Sequence, residues 1–215
     1  MSCCSHCNAT EEVFGKKDAE RALRSYKKKG PGKTTQMLLR EIRKTDLNDA
    51  TLLDIGGGVG ILHHELLGGQ VTTATHIDAS TYHNEAAIEE DKQRNIADLV
   101  NYLRGDAVEM KDQLPQADLV TLDKVICCYP DWEGLLRTSV EKSSRLVALS
   151  IPRDRWFVRI FIHMTNLFQK IKGSAFRVFV HPRESIDRTA ESLGFEVVSA
   201  AENLAWQVAI YQKRD

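Results

Sequence analysis

The sequence predicts an α/β protein, a mostly parallel sheet with helices on both faces. Three observations carry that expectation. A short apolar run, Leu52-Leu53-Asp54-Ile55, leads directly into a glycine-rich turn, Gly56-Gly57-Gly58-Val59-Gly60. Strand-like and helix-like stretches then alternate along the chain, as they do in β-α-β units. Acids follow successive strand-like runs at Asp78, Asp106 and Asp123, and open α/β sheets bind ligands at such edges.

At 215 residues the chain is long enough for one domain with a full core. Its 42% hydrophobic and 27% charged content is that of an ordinary globular protein. A net charge of −1 gives no electrostatic footprint for nucleic acid, so no nucleic-acid partner is expected. Apolar runs are short and broken by charge, and Met1 to Cys7 shows no basic-then-apolar leader. A cytoplasmic protein, monomeric or homodimeric, is the expectation. We divide the single domain into a Cys-rich segment and helix at 1–33, a cofactor-binding core at 34–152, a substrate-side helical insertion at 153–183, and a C-terminal helix and hairpin at 184–215.

The cluster Cys3, Cys4, His6 and Cys7 lacks a distant second half of a zinc pattern. It reads as oxidisable thiols or as a soft-metal or redox site, and no metal ligand is assigned. Asp18 is expected to cap a helix to about Lys29, which Gly30-Pro31 breaks. Gly30-Pro31-Gly32-Lys33-Thr34 ends like a phosphate loop, but Lys27 stands where its first glycine belongs. A helix junction is expected instead, with Thr34 or Thr35 near the next helix start. Strand one is Thr51–Ile55, and a helix over roughly 61–67 ends at Gly68-Gly69. Strand two, about 71–77, ends at Asp78; Ser80 or Thr81 then caps a helix to about Asp98. Strand three is Leu99–Leu103, followed by Gly105-Asp106-Ala107, and strand four ends at Asp123. Trp132, Leu135, Leu136 and Val140 mark a helix face, and strand five is Ser144–Ile151.

The helix expected over 155–171 carries an unusually wide apolar arc, with Trp156, Ile160, Met164, Leu167 and Ile171 in one row and Phe157, Phe161 and Phe168 beside it. Core plus dimer contact is one reading; a lid over an apolar acceptor, or a peripheral membrane contact, is the other. Residues 176–180 read as extended, 184–193 as a helix, and 195–201 and 204–212 as a closing hairpin.

The glycines fit one cradle better than another. A dinucleotide fingerprint would place its third glycine where Ile61 stands. The order Asp54-x-Gly56-x-Gly58-x-Gly60 instead resembles motif I of the class I S-adenosylmethionine (SAM) methyltransferases. The resemblance covers about residues 34–212 and implies that family's Rossmann-like fold, a seven-stranded sheet with an antiparallel last strand. It implies SAM as cofactor and methyl transfer to a small-molecule acceptor. It places Asp54, Gly56, Gly57, Gly58 and Gly60 around the amino-acid part of SAM, Asp78 with Ala79 at the ribose, and Asp106 with Ala107 at the adenine. Asp123 and Lys124, at the end of strand four, complete the expected cofactor-binding set.

A narrower resemblance is to magnesium-protoporphyrin O-methyltransferases. It rests on Arg21 to Tyr26, on Leu122 to Pro130 and on the aromatic-rich helix before His181. That family's His-Tyr-Pro reads Cys128-Tyr129-Pro130 here, which leaves the acceptor open, including O-methylation of a large apolar carboxylate. A carboxylate acceptor is ionised at neutral pH and needs no base; for other acceptors Tyr26, Cys128, Tyr129 and His181 are the candidates. The alternative is a catalytically inactive SAM-binding sensor or partner protein.

Overall fold

A computed structural model describes residues 11 and 13–214; the expectations for Cys3, Cys4, His6 and Cys7 lie outside the described residues. Two helices, α1 (Lys16–Lys29) and α2 (Lys33–Ile42), precede the sheet. The strands and helices that follow are β1 (Ala50–Ile55), α3 (Ile61–Leu66), β2 (Val71–Asp78), α4 (Thr81–Arg94), β3 (Val100–Arg104), β4 (Ala117–Asp123), α5 (Trp132–Glu141) and β5 (Ser143–Pro152). The chain closes with α6 (Trp156–Ile171), α7 (Arg183–Ser192), β6 (Phe195–Glu202) and β7 (Trp206–Lys213).

These strands form the expected seven-stranded sheet, in the order β3-β2-β1-β4-β5-β7-β6. β1 to β5 run parallel, and β7 pairs antiparallel with both β5 and β6. Period-2 alternation sends neighbouring strand residues to opposite faces. Leu53, Val120 and Val147 meet α5 and α7 through Leu136 and Ile186 on one face. Leu52, Leu119 and Ala148 meet α2 and α3 through Leu38, Ile42 and Leu62 on the other. Chain order reverses at β1, which lies between β2 and β4; the crevice at the carboxyl ends of those strands is where such sheets take ligands.

Several boundaries differ from the expectation for local reasons. Gly15, not Asp18, is the N-cap of α1; Asp18 sits in the first turn, where its charge favours the helix dipole, and pairs with Arg21. Ser80 caps α4 by accepting from the His83 N–H. That helix stops at Arg94, short of Asp98, because Asn95 takes a left-handed φ of 58°. A short 3-10 turn at Ala97–Leu99 then delays β3 to Val100. Residues 176–180 join no strand. Asn166 of α6 occupies that segment's polar groups instead: its Nδ2 donates to the Val178 carbonyl and its Oδ1 accepts from the Val178 N–H. The final turn covers 203–205, with Asn203 Oδ1 accepting from the Ala205 and Trp206 N–H groups.

Candidate active site

The glycine turn lies at the carboxyl end of β1, and packing dictates its composition. A Cβ on Gly57 would stand 2.4 Å from His76 Nδ1 and 2.9 Å from Asp54 Oδ2. Gly58 has a φ of 58°, which an L side chain rarely adopts. Its N–H donates to Asp78 Oδ2 at 2.9 Å, so the end of β2 clasps the turn. Asp78 Oδ1 accepts from the Ser80 N–H at 2.8 Å. Burial pushes the Asp78 carboxyl up, against the opposing pull of His83 and these two N–H groups.

Asp54 is 1% exposed. Its Oδ1 accepts from Thr121 Oγ1 at 2.6 Å, and its Oδ2 has no protein partner. Burial raises its carboxyl to about 6, with the Thr121 hydroxyl opposing. Asp106 accepts the Tyr129 phenol at 2.8 Å on either oxygen, and its Oδ1 also takes the Val108 N–H at 2.8 Å. Asp123 Oδ2 accepts from Thr35 Oγ1 at 2.6 Å and from Lys124 Nζ at 3.0 Å, while Ser150 Oγ donates to its Oδ1. Lys124 itself has a φ of 65°, and its N–H donates to Ser150 Oγ at 2.8 Å.

One cavity of about 810 Å³ joins these strand ends, inside the range of small-molecule sites. Gly56, Gly57, Gly58 and Val59 of the turn, with Asp54, Asp78, Asp106 and Asp123, line one part of it. Phe157, Phe161 and Ile162 of α6, with Phe176, Val178 and Trp206, line another.

Residues 24–200 match the family described as a methyltransferase domain. The chain belongs to that family. It is a class I SAM-dependent methyltransferase, and SAM is its cofactor. Magnesium protoporphyrin IX methyltransferase from Synechocystis, solved with S-adenosylhomocysteine, is similar at TM-score 0.72 and 14% identity, covering 95% of this chain and 98% of that one. An O-methyltransferase family protein from Burkholderia thailandensis is similar at 0.74 and 13% identity, covering 96% and 63%. A sarcosine dimethylglycine methyltransferase-like protein from Galdieria sulphuraria is similar at 0.68 and 13%, covering 85% and 86%. No curated protein matches the chain.

The methyltransferase's cavity fits SAM in chemistry: buried acceptor oxygens stand along one wall, and the turn has no room for a side chain at Gly57. Of the sequence candidates, Ala79, Ala107, Lys124, Cys128 and Tyr129 line the cavity with Asp54, Asp78, Asp106, Asp123, Gly56, Gly57 and Gly58, whereas Gly60, Tyr26 and His181 do not; Gly60 packs against His63 and His64. Tyr26 is held behind the turn, stacked on His64 at 5.6 Å with its hydroxyl donating to Glu65 Oε1 at 3.1 Å. Burial pushes its phenol up to about 12, Arg94 opposing and Glu65 adding, which is far from a base poised for neutral pH. His181 packs between Phe179 and Trp132, and burial pulls its imidazole down. Cys127, beside Cys128, is held well above the usual thiol range by its contact with Cys128 Sγ at 3.6 Å and by burial.

Thr35, Ser150 and His83 are not site residues by any sequence motif, yet Thr35 and His83 line the cavity and Ser150 fixes its floor. The sequence places Thr35 only near a helix start, and nothing local in it shows that Thr35 faces Asp123. The apolar spacing of Leu38, Leu39 and Ile42 is the one usable hint, because it fixes which side of α2 turns inward.

Proposed function

We propose that the methyltransferase acts on an apolar organic acceptor of medium to large size and methylates a carboxylate oxygen. The observation that carries this reading is the continuity of the cavity from the acidic strand ends to the apolar flank of α6. SAM, when bound, supplies an activated methyl group. In this reading Asp78 takes the ribose hydroxyls: each of its oxygens spends one acceptor site on a backbone N–H and keeps another. Asp54 offers its unshared oxygen to the amino group, directly or through water, above the turn of Gly56, Gly57, Gly58 and Gly60. Asp106, with Ala79 and Ala107 beside it, faces the adenine, and Tyr129 holds its carboxylate in place. Asp123 and Lys124, locked together by Thr35 and Ser150, form the floor between cofactor and acceptor. Phe157, Ile162 and Phe176 exclude water and hold the acceptor in line. A carboxylate acceptor asks for no base, which suits a cavity that Tyr26 and His181 do not reach and where the Tyr129 phenol is already bonded to Asp106, leaving Cys128 as the remaining lining candidate.

The test has two arms. Asp78→Ala is expected to weaken binding of SAM and S-adenosylhomocysteine at least tenfold by calorimetry; unchanged affinity removes the ribose assignment. Methyl transfer from labelled SAM is expected to apolar carboxylic acids, with protoporphyrin and its magnesium chelate as the largest probes, and not to the matching amides. Transfer to the amides instead overturns the carboxylate reading.

The exposed side of α6 supports a peripheral seat on an anionic lipid surface. Trp156, Phe161 and Ile171 are 74%, 72% and 76% exposed, and Ile160, Met164 and Phe168 share their arc. From Arg155 to Lys172 the segment carries Arg155, Arg159, Lys170 and Lys172 and no acid; Arg159 is paired with Asp154 just before it, which leaves Arg155, Lys170 and Lys172 as the flanking cations. Apolar insertion with cationic flanks is how amphipathic helices bind such surfaces. No helix among the described residues is long and apolar enough to cross a membrane, so the contact is peripheral. Co-sedimentation with vesicles containing phosphatidylserine is expected, and none with phosphatidylcholine alone. A stable dimer without vesicle binding would assign the arc to a second copy.

A further inference from the structure

Behind the glycine turn lie two buried histidines, His63 and His76, that methyl transfer does not use, beside Asp54, whose Oδ2 has two acceptor lone pairs, one toward the SAM amino group and one toward the histidines. We propose that Asp54, His63 and His76 form a binding site for one divalent transition-metal ion of the zinc type. Each offers one ligand atom, and these atoms all lie within 4.8 Å of one another. The three residues are 1%, 0% and 0% exposed. They come from β1, α3 and β2, so no ligand spacing along the sequence announces them.

The hydrogen-bond inventory is incomplete without an occupant. Asp54 Oδ2, His63 Nδ1 and both ring nitrogens of His76 are buried and have no protein partner. A neutral imidazole has one donor and one acceptor nitrogen, and leaving both dry is costly. A single water would satisfy part of this set. Two neutral imidazoles and one carboxylate are also a donor set that zinc takes, with a fourth position left for water.

The surroundings hold the ligands from behind, as metal sites require. His63 Nε2 lies 2.9 Å from Asp91 Oδ2, and Tyr102 donates to that same oxygen at 2.6 Å. This carboxylate–imidazole pair fixes the ring and leaves the Nδ1 lone pair of His63 available. Asp91 Oδ1 in turn engages His64. Asp54 is anchored through its other oxygen by Thr121. The His63 and His76 rings stand at 90° with centroids 5.3 Å apart, so they do not stack face to face. Ligand atoms 2.0–2.1 Å from one ion stand about 3.4 Å apart in a tetrahedron. The backbone of Gly57 passes directly over His76 Nδ1 and Asp54 Oδ2, so the ion would tie β1, β2 and α3 together beneath the turn.

The proposal rests on this cluster alone and stands whatever acceptor the enzyme uses. Its test must exclude the N-terminal thiols. The full chain with Cys3, Cys4 and Cys7 all changed to Ser, purified without a histidine tag, is expected to retain about one equivalent of zinc after dialysis. Zinc is expected to raise its melting temperature, and a strong chelator to lower it. Cobalt substitution is expected to give a tetrahedral spectrum without thiolate charge-transfer bands. In the same background His76→Phe and His63→Gln are each expected to weaken zinc binding at least tenfold while far-ultraviolet circular dichroism stays unchanged. Should His76→Phe fail to fold, His63→Gln and the melting shift of the serine background decide. Absence of zinc and of a melting shift in the serine background overturns the proposal, as does zinc binding that both histidine variants leave unchanged.

Discussion

Gly57 illustrates how a single missing side chain supports the site. Gly57→Ala would place a Cβ 2.4 Å from His76 Nδ1, where neither ring nor backbone can yield freely. A loss of about 1–3 kcal/mol in unfolding free energy is expected, as for overpacked cores, together with weaker SAM binding. Gly32→Ala is the control: its Cβ meets nothing within 4 Å at a φ of −64°, so the lower unfolded-state entropy and the poorer N-cap that Ala makes oppose each other, and chemical denaturation should show a change below about 1 kcal/mol. Tyr129 separates two roles. As the holder of Asp106, Tyr129→Phe raises KM for SAM and leaves kcat near its original value, by the loss of a charge-assisted bond worth about 1.5–3 kcal/mol. As a proton acceptor, its loss would instead lower kcat and change its pH profile. The acids and glycines were legible because each closes its own strand. Thr35, Ser150 and His76 were not, because their partners stand on other elements: Thr35 reaches across 88 positions to Asp123.

At the level of elements, the periodicity of a helix reports which face is apolar but not what that face meets. Tyr26 lies on the correct inward face of α1, yet its ring meets His64 and Arg94, whereas Ala22, one turn earlier on that helix, lines the cavity. The wide arc of α6 was legible for the same reason, and the structure divides it. Phe157, Val158 and Ile162 turn to the cavity, while Trp156, Ile160 and Ile171 turn outward. Their replacement should therefore separate stability from surface binding. Trp156→Gln together with Ile171→Gln removes exposed side chains and is expected to leave the melting temperature unchanged while abolishing vesicle co-sedimentation. Helix ends were the least legible feature. Asn95 ends α4 through a left-handed backbone angle, whereas the polar residues up to Asp98 continue a helix-like composition.

For the whole molecule, the sheet was legible because strand, turn and helix repeat locally, and the parallel order follows from that repeat. The ligand then couples to the stability of the entire sheet. A ligand at 100 times its dissociation constant stabilises the folded state by about 2.7 kcal/mol, which for a chain of this size corresponds to a rise of roughly 5–10 °C in melting temperature. Differential scanning calorimetry with saturating S-adenosylhomocysteine should show that rise, and Asp78→Ala should remove most of it. The placement of β7 has a consequence of another kind. β7 follows β6 in the chain, yet it lies between β5 and β6. During synthesis, then, β6 emerges from the ribosome with no neighbour to pair with, and the open edge of β5 waits until Val208 and Ile210 arrive to cover it. Until that moment the nascent chain exposes an unpaired strand edge, the kind of surface that other chains can capture. Premature termination before Trp206 therefore leaves a product prone to aggregation, even though every residue of the glycine turn has already been made.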